Sequence, residues 1–224
     1  QESSAQDVAF SVDGTKMFVI GYGGDDVNEY TLSTPFDATS ASFVDSFSVS
    51  SEESTPRGLE FSDDGTKMFV VGNSGNDVNE YTLSTAYDVS TASFVDARSL
   101  PEVGDVYGIE FNTDGTKMFV VGTDDAVNEY SLSTAFDVSS ETYTDQFSVA
   151  SEDAGPSDLE FSNDGFTMFV IGFGNDRVYE YDLSTAFDVS TASSTGDELF
   201  VGDRESNPWG FEFNDDGTKL FVLG

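Results

Sequence analysis

The sequence predicts an all-β fold, a β-propeller of four-stranded antiparallel blades. Three observations carry that expectation. A twelve-residue hairpin recurs five times, as FSVDGTKMFVIG from Phe10, FSDDGTKMFVVG from Phe61, FNTDGTKMFVVG from Phe111, FSNDGFTMFVIG from Phe161 and FNDDGTKLFVLG from Phe213. The copies are 51, 50, 50 and 52 residues apart, a period that signals stacked supersecondary units. Runs of Val, Phe, Tyr, Thr and Ile bounded by Gly, Asp, Asn and Ser fill each period, and nothing sustains a helical repeat.

Each unit reads in the same order, taken here from the second. GLEFS (58–62) is a short first strand, and Asp-Gly supplies the turn, because Gly accepts positive φ and Asp tolerates the local geometry. KMFVVG (67–72) is a second strand, apolar on both faces apart from its Lys. NSGND forms a loop, VNEYTLS (78–84) a third strand, and TAYDVSTAS crosses outward. The fourth strand is clearest in the first unit as FVDSFSVS (43–50). Phe69 and Val70 point to opposite sides of one strand, so every sheet needs a neighbour on both faces. A ring of sheets meets that need. A β-solenoid is the alternative, but its coils carry shorter parallel strands without Asp-Gly hairpins.

One propeller domain over 1–224 is expected, with repeats at 6–56, 57–106, 107–156 and 157–208 and a partial one at 209–224. That is four full blades plus half of a fifth. The half-unit admits a segment of a longer array, a five-position ring ending in a bare hairpin, or strands added by another chain. The first is favoured, because an uncovered edge at KLFVLG invites aggregation.

Composition narrows the function classes. Against 43 acidic residues stand 8 basic ones, a formal charge of −35. Such a surface repels itself unless cations screen it, which points to an extracellular or cell- or virion-surface protein in a saline medium. Nucleic acid is excluded as a partner because phosphate binding needs Lys and Arg, and an anionic membrane surface is disfavoured likewise. With no Cys and no His, disulfides, thiolate sites and His-based triads are ruled out. No apolar run reaches membrane-spanning length and no signal peptide is expected.

The stretch DGTKMFVVGNSGNDVNEYTLST resembles the YVTN-type β-propeller repeat, close in style to TolB-like repeats. The LSTAFDVSTASF extension is similar to arrays in marine bacterial and phage-encoded surface proteins. The resemblance spans nearly the whole chain. It implies a propeller, and roles ranging from surface-layer part, adhesin and scaffold to, in some members, lactonase.

Repetition separates packing positions from candidate site positions. The Asp-Gly pairs are turn chemistry. Lys16, Lys67, Lys117 and Lys219 follow the turns, and Glu29, Glu80, Glu129 and Glu180 lie on the third strands, so cross-strand pairing is expected at up to about 1 kcal/mol each. Thr167 replaces the Lys of the fourth unit, with Arg177 as a nearby substitute. The Asp- and Gly-rich loops after the second strands read as solvated. The aromatic of each STAFDVS stretch is expected to pack inward while the Asp satisfies a short turn.

Two sets are candidate sites. Glu60, Glu110, Glu160 and Glu212, with Ala9 in the first unit, sit on first strands beside the central channel. They either face a wet channel or share a hard cation; no cofactor is required, and Ca²⁺ is the one this set admits. Just before the first strand stand Gln6, Arg57, Tyr107, Ser157 and Trp209, which differ from unit to unit. Arg57, Tyr107 and Trp209 offer a rim platform for a sugar or an extended peptide, or else plug the channel mouth.

The units are so alike that they favour a non-catalytic structural or assembly component, with self-association or other surface proteins as partners. A ligand-binding adhesion module taking glycans or protein at the rim is the alternative. A lactonase-like or glycoside-acting enzyme ranks third, since catalysis breaks repeat symmetry and the His of a metal-dependent lactonase is missing.

Overall fold

The computed structural model describes residues 2–224. The first blade holds β1–β4 (Ala5–Phe10, Lys16–Gly21, Asp26–Leu32, Ala41–Ser48) and the second β5–β8 (Pro56–Phe61, Lys67–Gly72, Asp77–Leu83, Ala92–Ser99). The third holds β9–β12 (Val106–Phe111, Lys117–Gly122, Ala126–Leu132, Glu141–Ser148) and the fourth β13–β16 (Pro156–Phe161, Thr167–Gly172, Arg177–Leu183, Ala192–Phe200). A fifth sheet has two strands, β17 (Gly210–Phe213) and β18 (Leu220–Leu223). Strands within each sheet follow chain order and pair antiparallel. The propeller expected from the period is the fold observed.

Five apolar cores lie between successive sheets. The one between first and second blades gathers Phe18, Ile20 and Val27 with Leu59, Phe61 and Met68. The last closes the ring: Val8 and Phe10 of the first blade pack on Phe221 and Leu223 of the fifth sheet, with the Phe10 and Phe221 rings 4.5 Å apart. Each sheet thus buries both faces against copies of its own sequence.

The Asp-Gly turns fold as their chemistry requires. In the second blade Gly65 has φ 67°, and Asp64 Oδ1 accepts Thr66 N–H at 2.9 Å and Thr66 Oγ1–H at 2.7 Å. The outward crossing docks on this turn. Phe36, Tyr87, Phe136 and Phe187 take φ of 52–55°, which is costly for aromatic residues. Compensation is local: Tyr87 N–H donates to Gly65 O at 2.9 Å, and its ring lies where a Cβ on Gly65 would stand. The following Asp caps a single 3₁₀ turn, as Asp88 Oδ1 accepts from Ser90 N–H.

Lys and Glu pair as expected, at 2.7 Å for Lys16–Glu29, Lys67–Glu80 and Lys117–Glu129, but the pair does more than join two strands. Lys67 Nζ also donates to Phe136 O of the next blade at 2.5 Å, and Glu80 Oε2 accepts Val138 N–H of that blade at 3.1 Å. Lys219 repeats the reach around the ring, to Phe36 O of the first blade at 2.7 Å. The pair is an inter-blade latch, and each latched Glu side chain is only 3% exposed. Arg177 does not replace the missing Lys. It pairs at 2.7 Å with Glu198, which lies diagonally across on β16, opposite Tyr179.

Lys67→Met leaves the buried Glu80 without its ammonium, and removing one partner of a buried pair costs roughly 3 kcal/mol, well above a surface pair. Urea melts are expected to show that loss. The double variant Lys67→Met/Glu80→Gln should recover part of it, and equal losses in both would refute the latch.

Candidate active site

The five inner strands β1, β5, β9, β13 and β17 surround the axis, and equivalent residues on them form levels. One level holds Asp7, Gly58, Gly108, Asp158 and Gly210. Backbones approach so closely here that a Cβ on Gly108 would stand 2.8 Å from Asp158 Cα, and one on Gly210 equally close to Asp7 Cα. The two aspartates bridge blades. Asp7 accepts Val8 N–H through Oδ1 and Leu59 N–H of the second blade through Oδ2, both at 2.8 Å. Asp158 accepts Leu159 N–H at 2.9 Å and Phe211 N–H of the fifth sheet at 3.0 Å. Sequence reading missed both. Their signal was an Asp in two units where the other three carry Gly.

Two residues further along lie Ala9 and the four glutamates singled out from sequence, Glu60, Glu110, Glu160 and Glu212. The glutamates line one cavity of about 540 Å³ that opens on the Asp-Gly turn end of the ring. Phe61, Phe111, Phe161 and Phe213 contribute its apolar walls, and Asp63, Thr113, Asn163 and Asp215 its polar mouth. Among the described residues no Lys or Arg lines it.

So many carboxyls in one enclosed place cannot all ionise. Burial pushes Asp7 up to about 8, against the pull of its two backbone N–H donors. Burial, followed by the charge of Glu160, holds Glu60 well above the ordinary range. Glu110 is raised by burial and by Glu60 and Glu160, and Asp158 by burial and Asp7. Glu160 and Glu212 differ from the rest because they hydrogen-bond to each other. Burial takes Glu160 to about 7, and the bond from Glu212 and a backbone bond from Phe213 restrain it there. Glu212 is pushed well above its ordinary value by burial, by the charge of Glu160 and by donating to it. The two carboxyls form a coupled pair that shares a proton, both held above the ordinary range by burial.

Among the described residues no group of three or more carboxyls is arranged around one metal-ion position.

At the opposite end the three rim residues do converge. The Arg57 guanidinium lies 4.2 Å from the Trp209 ring centroid and 5.7 Å from that of Tyr107. Tyr22 of the first blade adds a third ring at 5.2 Å, and Phe173 of the fourth packs on Trp209 at 4.8 Å. Ser157 stands apart, its hydroxyl donating to Pro208 O at 3.1 Å.

No family model and no curated protein matches the chain by sequence. Solved structures do match by shape. A protein of unknown function from Desulfotomaculum acetoxidans superposes with a TM-score of 0.58 at 14% identity, over 100% of this chain and 64% of that one. A protein assigned as a 6-phosphogluconolactonase from Bacteroides uniformis gives 0.61 at 14% identity, over 96% and 62%. A periplasmic gluconolactonase of Pseudomonas aeruginosa gives 0.56 at 21% identity, over 98% and 57%. The likeness establishes the fold.

This chain spans about three fifths of the length of those structures. Two of the three bear lactonase names, and none is named as a structural or adhesive protein. These names overturn the expectation of a non-catalytic structural component and of a chain without enzymatic activity, which rested on the regularity of the units. Regular sequence does not make a symmetric site: Ala9 breaks the ring of glutamates, and one pair within it forms a dyad. No helix among the described residues is long and apolar enough to cross a membrane.

Proposed function

We propose that the cavity is the hydrolytic site of a lactonase-like enzyme working by carboxyl acid–base chemistry. The Glu160–Glu212 dyad in a cavity of about 540 Å³ is the observation that carries this reading. A base with a pKa near 7 beside a held proton is what ester hydrolysis at neutral pH requires. The cavity volume falls in the usual range for small-molecule sites, about 300–1,000 Å³.

Ionised Glu160 takes a proton from water as that water attacks the lactone carbonyl carbon. Glu212 donates its proton to the ring oxygen as the acyl–oxygen bond breaks. The proton gained by Glu160 then returns to Glu212 along their shared hydrogen bond. The hydroxy acid formed ionises and releases one proton to solvent. Repulsion from ionised Glu160 and from the aspartates at the mouth expels the anionic product.

Charge selects the substrate. A cavity with four glutamates at its base, aspartates at its mouth and no basic residue repels a phosphorylated sugar. The substrate class is therefore an unphosphorylated sugar lactone, nearer the gluconolactonase neighbour than the phosphogluconolactonase one. The acidic surface and the periplasmic neighbour support a secreted or periplasmic setting of high ionic strength, and the repeat pattern supports the YVTN type.

Proton release from D-glucono-1,5-lactone, followed by pH-stat between pH 5 and 8, tests the reading. Saturable hydrolysis above the spontaneous rate is expected, with 6-phosphogluconolactone a poorer substrate. No acceleration of either at any pH in that range would refute it.

A further inference from the structure

The mouth opposite the proposed hydrolytic site holds a second arrangement that this activity does not use. Its residues come from all five sheets: Tyr22, Arg57, Tyr107, Phe173 and Trp209. They occupy two positions per repeat, at the start of the first strand and just after the second, at which the otherwise similar units diverge. Packing therefore does not dictate them.

Arg57 is held unlike the chain's paired cations. Arg98 and Arg177 meet carboxylates, and so do Lys16, Lys67 and Lys117. Arg57 has no carboxylate partner among the described residues, in a chain with 43 acids. Its one hydrogen bond runs from Nη1 to Gln6 Oε1, and its buried Nε has no acceptor. Three ring faces hold it instead. Aromatic faces attract a guanidinium through their quadrupoles, Trp most strongly. One wall of this cage is open to solvent, since Tyr22 is 45% exposed. The net charge of −35 concentrates cations at every such opening.

We propose that this mouth is a binding site for the guanidinium group of an arginine-bearing peptide, and that Arg57 occupies it as an internal stand-in. The incoming arginine displaces the Arg57 side chain into solvent, stacks on Trp209 and donates to Gln6 Oε1. A lysine fits less well, because its compact, strongly hydrated ammonium matches neither the flat slot between rings nor the single acceptor.

Trp209 is the only tryptophan, so its fluorescence reads this site alone. N-acetyl-arginine amide is titrated into wild type, Arg57→Ala and Arg57→Lys at constant ionic strength, with N-acetyl-lysine amide in parallel. Emptying the cage in Arg57→Ala is expected to tighten the arginine probe at least tenfold over wild type and over the lysine probe. Arg57→Lys keeps a charged plug but one that fits the slot between the rings less well, and is expected to tighten the arginine probe about threefold. A folded Arg57→Ala protein that gives no saturable Trp209 response, or the wild-type affinity, overturns the proposal. If Arg57→Ala does not fold, Arg57→Lys decides: an unchanged or weaker affinity for the arginine probe overturns it equally. The hydrolytic site lies at the other end of the channel, so lactone hydrolysis and arginine binding succeed or fail separately.

Discussion

Acidification from pH 8 to pH 5 is expected to stabilise this protein, the reverse of what paired surface carboxylates give. Asp7 has a folded-state pKa of about 8 against 3.8 when free. Between those values the folded chain binds more protons than the unfolded one, so stability falls as pH rises through the window. Below 3.8 both states are protonated and the penalty vanishes; above 8 it is complete. Asp7 alone accounts for about 3 kcal/mol between pH 5 and pH 8, or a change in Tm on the order of 10 °C for a chain of this size. Glu60, Glu110, Asp158, Glu160 and Glu212 are shifted the same way by burial.

The turn aspartates oppose this at lower pH. Asp13 is held below its ordinary value by Thr15 N–H, while Asp64, Asp114 and Asp216 are held there by Thr hydroxyls. Their contribution is present above 3.8 and lost as pH falls through their depressed folded values. A stability maximum near pH 4–5 follows. Thermal melts across pH 3–9 should be run near 1 M NaCl, where the Debye length is about 3 Å and surface repulsion is screened while the buried groups are not. Asp7→Asn should flatten the slope between pH 5 and 8 by up to one proton. A Tm that is level or rising over that interval would show that the axial carboxyls are charged at no cost.

How much of this was readable in sequence depends on the range of the interactions. The hairpin, the Asp-Gly turn and the four-strand order rest on neighbours within a few residues, and all are present. The convergence of Arg57, Tyr107 and Trp209, and of the four glutamates, followed from equal positions in equal units. The bridging by Asp7 and Asp158 was hidden because it depends on how near the inner strands come, which shows only as glycine at the matching positions. The latch was half legible. Lys67 and Glu80 are close in sequence, but the carbonyl that Lys67 reaches is 69 residues away. Arg177 was misassigned because proximity along the chain said nothing of Glu198 across the sheet. The Glu160–Glu212 dyad was invisible, since four identical residues at identical positions give no reason for two to pair.

That asymmetry sets the last expectation, which concerns the dyad and the largest change in rate. Removing either member should lower kcat for lactone hydrolysis by about 10²- to 10⁴-fold, the usual weight of positioned acid–base catalysis. The two losses should differ in kind. The wild-type rate is expected to rise with pH through Glu160, near 7, and to fall once Glu212 ionises. Glu212→Gln still offers an N–H to Glu160 but has no proton to transfer, so the alkaline limb should disappear while the acid limb stays. Glu160→Gln removes the base, and the acid limb near 7 should go with it. Glu212 then loses a neighbouring charge that raised it, so any residual activity should decline at lower pH than in wild type. Because a merely structural pair would change Tm and leave the profile's shape alone, the decisive quantity is the pH at which each variant's rate turns over. Two variants with unaltered profiles would place the chemistry elsewhere in the cavity.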